Sequence, residues 1–139
     1  MAITQALATS FKVDLLANTL NNGDVYKCAL YTSSASLDAD TTVYTATNEV
    51  TGTGYTAGGA TLTIAAATST GSTAYADITD ATWPASTITG ARAALIYNST
   101  TGNAAVAVLD FGSDKSSSAS TFTIVFPTAD STNAIIRIS

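Results

Sequence analysis

From residue 24 to the C-terminus, apolar side chains recur at every second position in short runs, and clusters of Gly, Ser, Asn, Asp and Pro separate the runs. A period of two puts alternate residues on opposite faces of an extended chain, so most of this molecule can form strands and little of it can form helix. Tyr26, Cys28 and Leu30 alternate with Val25, Lys27, Ala29 and Tyr31, and Lys27 marks the expected solvent side. Leu62 and Ile64 alternate with threonines, and Ala74, Ala76 and Ile78 alternate with Tyr75 and Asp77. Residues 91–97 lead through Asn98-Ser99-Thr100-Thr101-Gly102-Asn103 into 104–111, the clearest hairpin in the chain. Two further strands are expected over 121–126, ended by Pro127, and over 134–138. Residues 33–42 and 113–120 lack alternation and read as polar loops, the second a serine tract expected to be exposed and mobile.

Only the N-terminus carries a helical period. Residues 4–20 contain neither Gly nor Pro, and Leu7, Ala8, Phe11 and Leu15 fall within about a quarter-turn arc at roughly 100° per residue. Thr4 is the expected N-cap, and Asn21-Asn22-Gly23 the expected stop. Val13, Leu16 and Leu20 point away from that arc and form the candidate interface with a neighbouring subunit. The expected architecture is therefore mainly β: a small antiparallel β-sandwich, jelly-roll-like, with one N-terminal amphipathic helix. It is read as a single domain over 1–139, with the helix at 4–20 and the body at 24–139. A chain of 139 residues can bury roughly two thirds of its unfolded surface, which suits one core.

The residue inventory removes several chemistries. The chain has no histidine, so Ser-His-Asp and Cys-His nucleophile systems and most zinc sites lack their ligands or bases. Its one cysteine, Cys28, lies in an apolar alternating run and reads as a small core residue. Glu49 is the sole glutamate among ten acidic residues. Asp38 with Asp40, and Asp77 with Asp80, lack the ligand spacing and closing glutamate of a calcium loop and read as turn residues. Asp110 shares a face with Val106 and Val108, so an arginine or turn partner is expected for it. The glycine-rich segment 52–59 lacks the Gly-Lys-Ser/Thr ending of a phosphate loop, and backbone geometry is its expected role. Tyr31, Tyr44, Tyr55, Tyr75 and Trp83 are spread over separate strands and loops, which favours packing over a sugar-stacking platform. No catalytic residue, metal site or cofactor is expected.

Five basic residues against ten acidic ones, a net charge of -5, offer no positive stripe for phosphates, so no nucleic-acid partner is expected. No basic leader and no apolar run of spanning length is present, so synthesis as a soluble cytoplasmic chain with no membrane association is expected. The mean hydropathy of +0.27 is high for a soluble domain and leaves apolar surface for a partner, most simply another copy of the chain.

The segments Ala29-Leu30-Tyr31-Thr32-Ser33-Ser34, Tyr44-Thr45-Ala46-Thr47-Asn48-Glu49-Val50, Gly52-Thr53-Gly54-Tyr55-Thr56-Ala57-Gly58-Gly59, Ala94-Leu95-Ile96-Tyr97-Asn98 and Val108-Leu109-Asp110-Phe111-Gly112 resemble a group of small virion structural proteins of tailed bacteriophages. The resemblance extends to Ser10-Phe11-Lys12, with a shorter link over 18–23. It implies an abundant non-enzymatic subunit on the outer surface of the head, a decoration or cement protein bound to the major capsid protein. It also implies a homo-oligomer, with a trimer favoured because capsid lattices hold many local threefold positions. A tail, neck or fibre component with a receptor- or carbohydrate-binding role is the alternative it implies.

Overall fold

The computed structural model describes residues 2–17 and 23–139. In chain order the elements are β1 (Ala6–Leu7), α1 (Thr9–Ala17), β2 (Tyr26–Tyr31), β3 (Ala60–Leu62), β4 (Thr68–Thr70), β5 (Thr73–Ala76), β6 (Ala81–Asn98), β7 (Ala104–Ile124) and β8 (Ile136–Ile138). They form two antiparallel sheets, one ordered β1-β7-β6-β2-β3 and the other β4-β5-β8. The protein is thus mainly β, sandwich-like, with one short helix, as its periodicity indicates; the jelly-roll winding is not established by this order.

The spine is the β6–β7 hairpin. Its register runs from Asn98↔Ala104 at the turn to Ala81↔Ile124 at the far end. Around the turn it is buried on both faces: Ala93, Ala94, Leu95, Ile96, Ala105, Val106 and Val108 are all essentially inaccessible. Each large side chain here contributes about 1.5–3 kcal/mol by leaving water. The alanines between them let the flanking layers approach closely. β2 pairs along β6 from Tyr26↔Asn98 to Tyr31↔Ala93 and is buried on both faces from Cys28 onward. The half-wet strand expected from Lys27 is therefore corrected: only the start of β2 is partly exposed, because the 44–59 loop covers the other face.

Further expectations change. The helix covers Thr9–Ala17, not 4–20, and Thr4 is not its cap. Residues 2–8 are extended instead: Leu37 N–H donates to the Ala2 carbonyl (3.1 Å), Thr4 N–H to the Leu37 carbonyl (2.8 Å), and β1 pairs Ala6↔Val108 and Leu7↔Ala107. Backbone pairing with β7 and the 37–39 loop outweighs the local helical period, a tertiary choice that side-chain spacing does not encode. The predicted apolar arc is nevertheless the buried one. Ala8 and Phe11 are buried, and Leu7 and Leu15 pack against the core from partly buried positions.

The serine tract 113–120 is not a loop. It lies inside β7, which also merges the separate strands expected over 104–111 and 121–126. Register shifts along β6–β7 leave backbone groups unmatched, and serine hydroxyls fill the gaps. Ser117 Oγ donates to the Ser86 carbonyl (3.0 Å) and accepts from Ile88 N–H (3.2 Å), while Ser116 Oγ accepts from Gly90 N–H (3.0 Å). The tract is exposed as expected, except at Ser117, which is partly buried. Finally, β8 joins the small sheet beside β5, with Ile135 and Ile136 packed on the core and Ile138 exposed.

Candidate functional site

A polar network that joins β2, β6 and the 44–59 loop is centred on Glu49. Its Oε2 accepts from the Tyr44 hydroxyl (2.7 Å), and its Oε1 accepts from the Tyr55 hydroxyl (2.6 Å) and from Gly58 N–H (2.8 Å). Tyr55 Oη in turn accepts from Leu30 N–H of β2 (2.9 Å). Tyr97 of β6 donates to the Gly58 carbonyl (2.7 Å), and Tyr31 of β2 donates to the Thr45 carbonyl (2.7 Å). The Tyr44 and Tyr97 rings stack with centroids 4.8 Å apart, and Tyr55 stacks on Trp83 at 6.0 Å.

Backbone contacts complete the attachment. Val50 N–H donates to the Leu30 carbonyl (2.9 Å), Thr32 N–H to the Asn48 carbonyl (3.0 Å), and Thr87 N–H to the Thr53 carbonyl (2.8 Å). A segment without a long strand of its own is thereby clamped across β2 and β6. The glycines serve this close approach, as expected. Gly59 has φ +78°, and a Cβ there would overlap the Cys28 carbonyl.

Burial and the Glu49 charge raise the phenol pKa values together. Tyr44 is pushed up to about 12, first by desolvation and then by its hydrogen bond to Glu49. Tyr55, Tyr31 and Tyr97 are also raised, each chiefly by burial, with Glu49 adding to it. All four phenols are therefore neutral donors near neutrality. Both carboxylate oxygens are occupied by donors of the protein itself, so the arrangement holds a loop to a sheet. Spread along the sequence, Tyr31, Tyr44, Tyr55 and Trp83 nevertheless converge here; Tyr75 instead sits on β5, its hydroxyl 3.1 Å from Thr70 Oγ1. Sequence reasoning named Glu49 only as the lone glutamate. Its position between two tyrosines, five residues after Tyr44 and six before Tyr55, was the available signal.

The remaining candidates fall as follows. Asp110 has the arginine and turn partners expected: Arg92 Nε donates to its Oδ1 (3.1 Å), as does Gly112 N–H (2.9 Å). These contacts, the turn N–H first, hold its carboxyl below the usual range. Asp38 accepts from Asp40 N–H (2.9 Å) and Asp80 from Phe126 N–H (2.9 Å), both turn and strand-end roles. Among the described residues no group of three His, Cys, Asp or Glu side chains could hold a metal ion. Cys28 is fully buried, and burial pushes its thiol up to about 12. Asn98, the first residue of the hairpin turn, is buried; its Oδ1 accepts from Thr100 and Thr101 N–H (3.0 and 3.2 Å) and its Nδ2 donates to Asp24 (2.8 Å).

Of the candidate interface residues, Val13 is 58% and Leu16 90% exposed, neighbours three apart on the outer side of α1. Leu20 lies outside the described residues. Among the described residues no helix is long and apolar enough to cross a membrane. No protein-family model, curated protein or solved structure matches the chain.

Proposed function

We propose that the protein is a virion structural subunit of a tailed bacteriophage, a head decoration protein that binds the major capsid protein and stabilises the shell by non-covalent packing. The observation that carries this reading is the Glu49 clamp. Three of the segments that carry the phage resemblance, 29–34, 44–59 and 94–98, are tied together by it, while 108–112 lies apart on β7, and the polar side chains of the three are spent on rigidity. What remains for a partner is surface: the apolar Val13 and Leu16 on α1 and a weakly charged, hydroxyl-rich exterior. A subunit that binds only the assembled shell, in hundreds of copies, stabilises it by mass action.

The test mixes the purified protein with undecorated capsids and measures copies bound and the temperature of shell disruption. Saturable binding in hundreds of copies with a raised disruption temperature is expected, and Leu16→Asp should weaken it while leaving the free protein folded. Absence from heads, or a handful of copies at the tail, would overturn the reading and favour a tail or fibre role, which sugar binding by the free domain would then examine.

A further inference from the structure

Among the described residues, the chain covers the outer edge of β7 only up to Asp110. Residues 42–44 cover its start, with Ala105 N–H on the Thr42 carbonyl (2.9 Å) and Tyr44 N–H on the Asn103 carbonyl (3.0 Å). β1 then covers Ala107 and Val108, and Gln5 Oε1 accepts from Asp110 N–H (3.2 Å). Past that point the N-terminal arm turns away to bridge Leu37. From Phe111 to Ile124 no described residue pairs with β7 on the side away from β6.

A groove of about 480 Å³ follows this bare edge, and every residue lining it, Phe111, Lys115, Phe122 and Val125 among them, belongs to β7 or directly follows it. One wall of the groove is present, and no second element among the described residues supplies the other. Bends at Gly112 (φ +76°) and Ala119 (φ +44°) interrupt the upper part, which leaves 120–125, the end of β7 and the residue that follows it, free of such bends. That stretch is Ser120-Thr121-Phe122-Thr123-Ile124-Val125: uncharged, free of Pro and rich in β-branched and aromatic residues. Edges of this composition are templates for another strand, and proteins ordinarily blunt them with charge or proline.

We propose that this edge pairs, antiparallel and about a two-fold axis, with the same edge of a second copy of the chain. Length decides the occupant. The strands at the sheet margins, β1, β3, β4 and β8, have two or three residues each, so among the described strands only β7 matches a free edge of this length. A two-fold perpendicular to the sheet keeps each face on its own side. With the axis at Thr123, the exposed row Thr121, Thr123 and Val125 meets itself in reverse order, and Val125, 74% exposed, packs against the partner's Thr121. Phe122 and Ile124 meet on the inner side. The seam goes beyond the virion reading, since it operates in the free protein, and it yields pairs, whereas a threefold assembly requires a different contact.

The experiment measures the mass of the full chain by sedimentation over roughly 1 to 100 μM, a range that spans weak to moderate self-affinity. Wild type should dimerise, with hydrogen exchange slowed at 120–125 in the dimer. Thr123→Lys and Thr123→Asp, at an exposed position, should each fold with unchanged melting but set like charges opposite each other and weaken the dimer at least about tenfold. An equimolar mixture of the two variants should restore pairing. A wild-type chain that stays monomeric, variants that assemble like wild type, or a mixture that fails to recover would overturn the proposal.

Discussion

Glu49→Ala is the most informative single change in this molecule. It removes the acceptor of three donors: the hydroxyls of Tyr44 and Tyr55 and the N–H of Gly58. Hydrogen bonds to a charged group contribute about 1.5–3 kcal/mol each when buried, but Glu49 and Tyr44 are only partly buried, so water restores part of the loss. Tyr44 can re-solvate, whereas Tyr55 is held against Trp83 with its oxygen committed to Leu30 N–H. The expected cost is about 3–4 kcal/mol, a large part of a domain's 5–15. For a chain of this length that lowers the melting temperature by roughly 10 °C.

Glu49→Gln retains one acceptor oxygen for Tyr55 and Gly58, and its amide can donate to Tyr44, so its cost should be about half as large. A double-mutant cycle with Tyr55→Phe isolates the shared bond, with a coupling of about 1.5–3 kcal/mol expected from chemical denaturation. The clamp also predicts increased proteolysis within 44–59 in Glu49→Ala before global unfolding. A loss below about 1 kcal/mol, or additive effects of Glu49→Ala and Tyr55→Phe, would refute the idea that this carboxylate holds the loop.

Gly59→Ala should cost about 3 kcal/mol or more, because the new methyl meets the Cys28 carbonyl at positive φ, whereas Gly102→Ala, with open space around it, should cost about 1 kcal/mol from φ alone; thermal melts compare them. Stability should fall as pH rises from about 10 towards 12: unfolded tyrosines ionise near 10 while those of the clamp, with Tyr44 at about 12, hold their protons, so the unfolded state is favoured by releasing protons first. An unfolding midpoint in denaturant that is flat across that window would contradict it. Phe11→Ala, at a site 2% exposed, should cost about 3–5 kcal/mol, while Leu16→Ala, at a site 90% exposed, should leave the free protein within about 0.5 kcal/mol of wild type and act only on assembly with a partner.

Local spacing was sufficient wherever the physics is local. The period of two from residue 24, the turn at 98–103 and the apolar arc of Ala8, Phe11 and Leu15 depend on neighbours a few residues apart, and strand identity, hairpin and buried face follow from them. The missing histidine likewise removed whole chemistries without any coordinates. Tertiary structure decided what depends on distant groups competing for the same backbone. Residues 4–8 carry a helical pattern yet lie extended, because β7 and the 37–39 loop offer them hydrogen bonds. Residues 113–120 have no alternation yet form a strand, because β6 supplies the ladder and serine hydroxyls repair its bulges. Glu49 shows the same division. Its rarity was visible in the sequence, but its meaning arises only where β2, β6 and the 44–59 loop bring the Tyr44 and Tyr55 hydroxyls and a glycine N–H to one carboxylate, with Tyr31 and Tyr97 pinning the loop beside it, a convergence that no short-range pattern encodes.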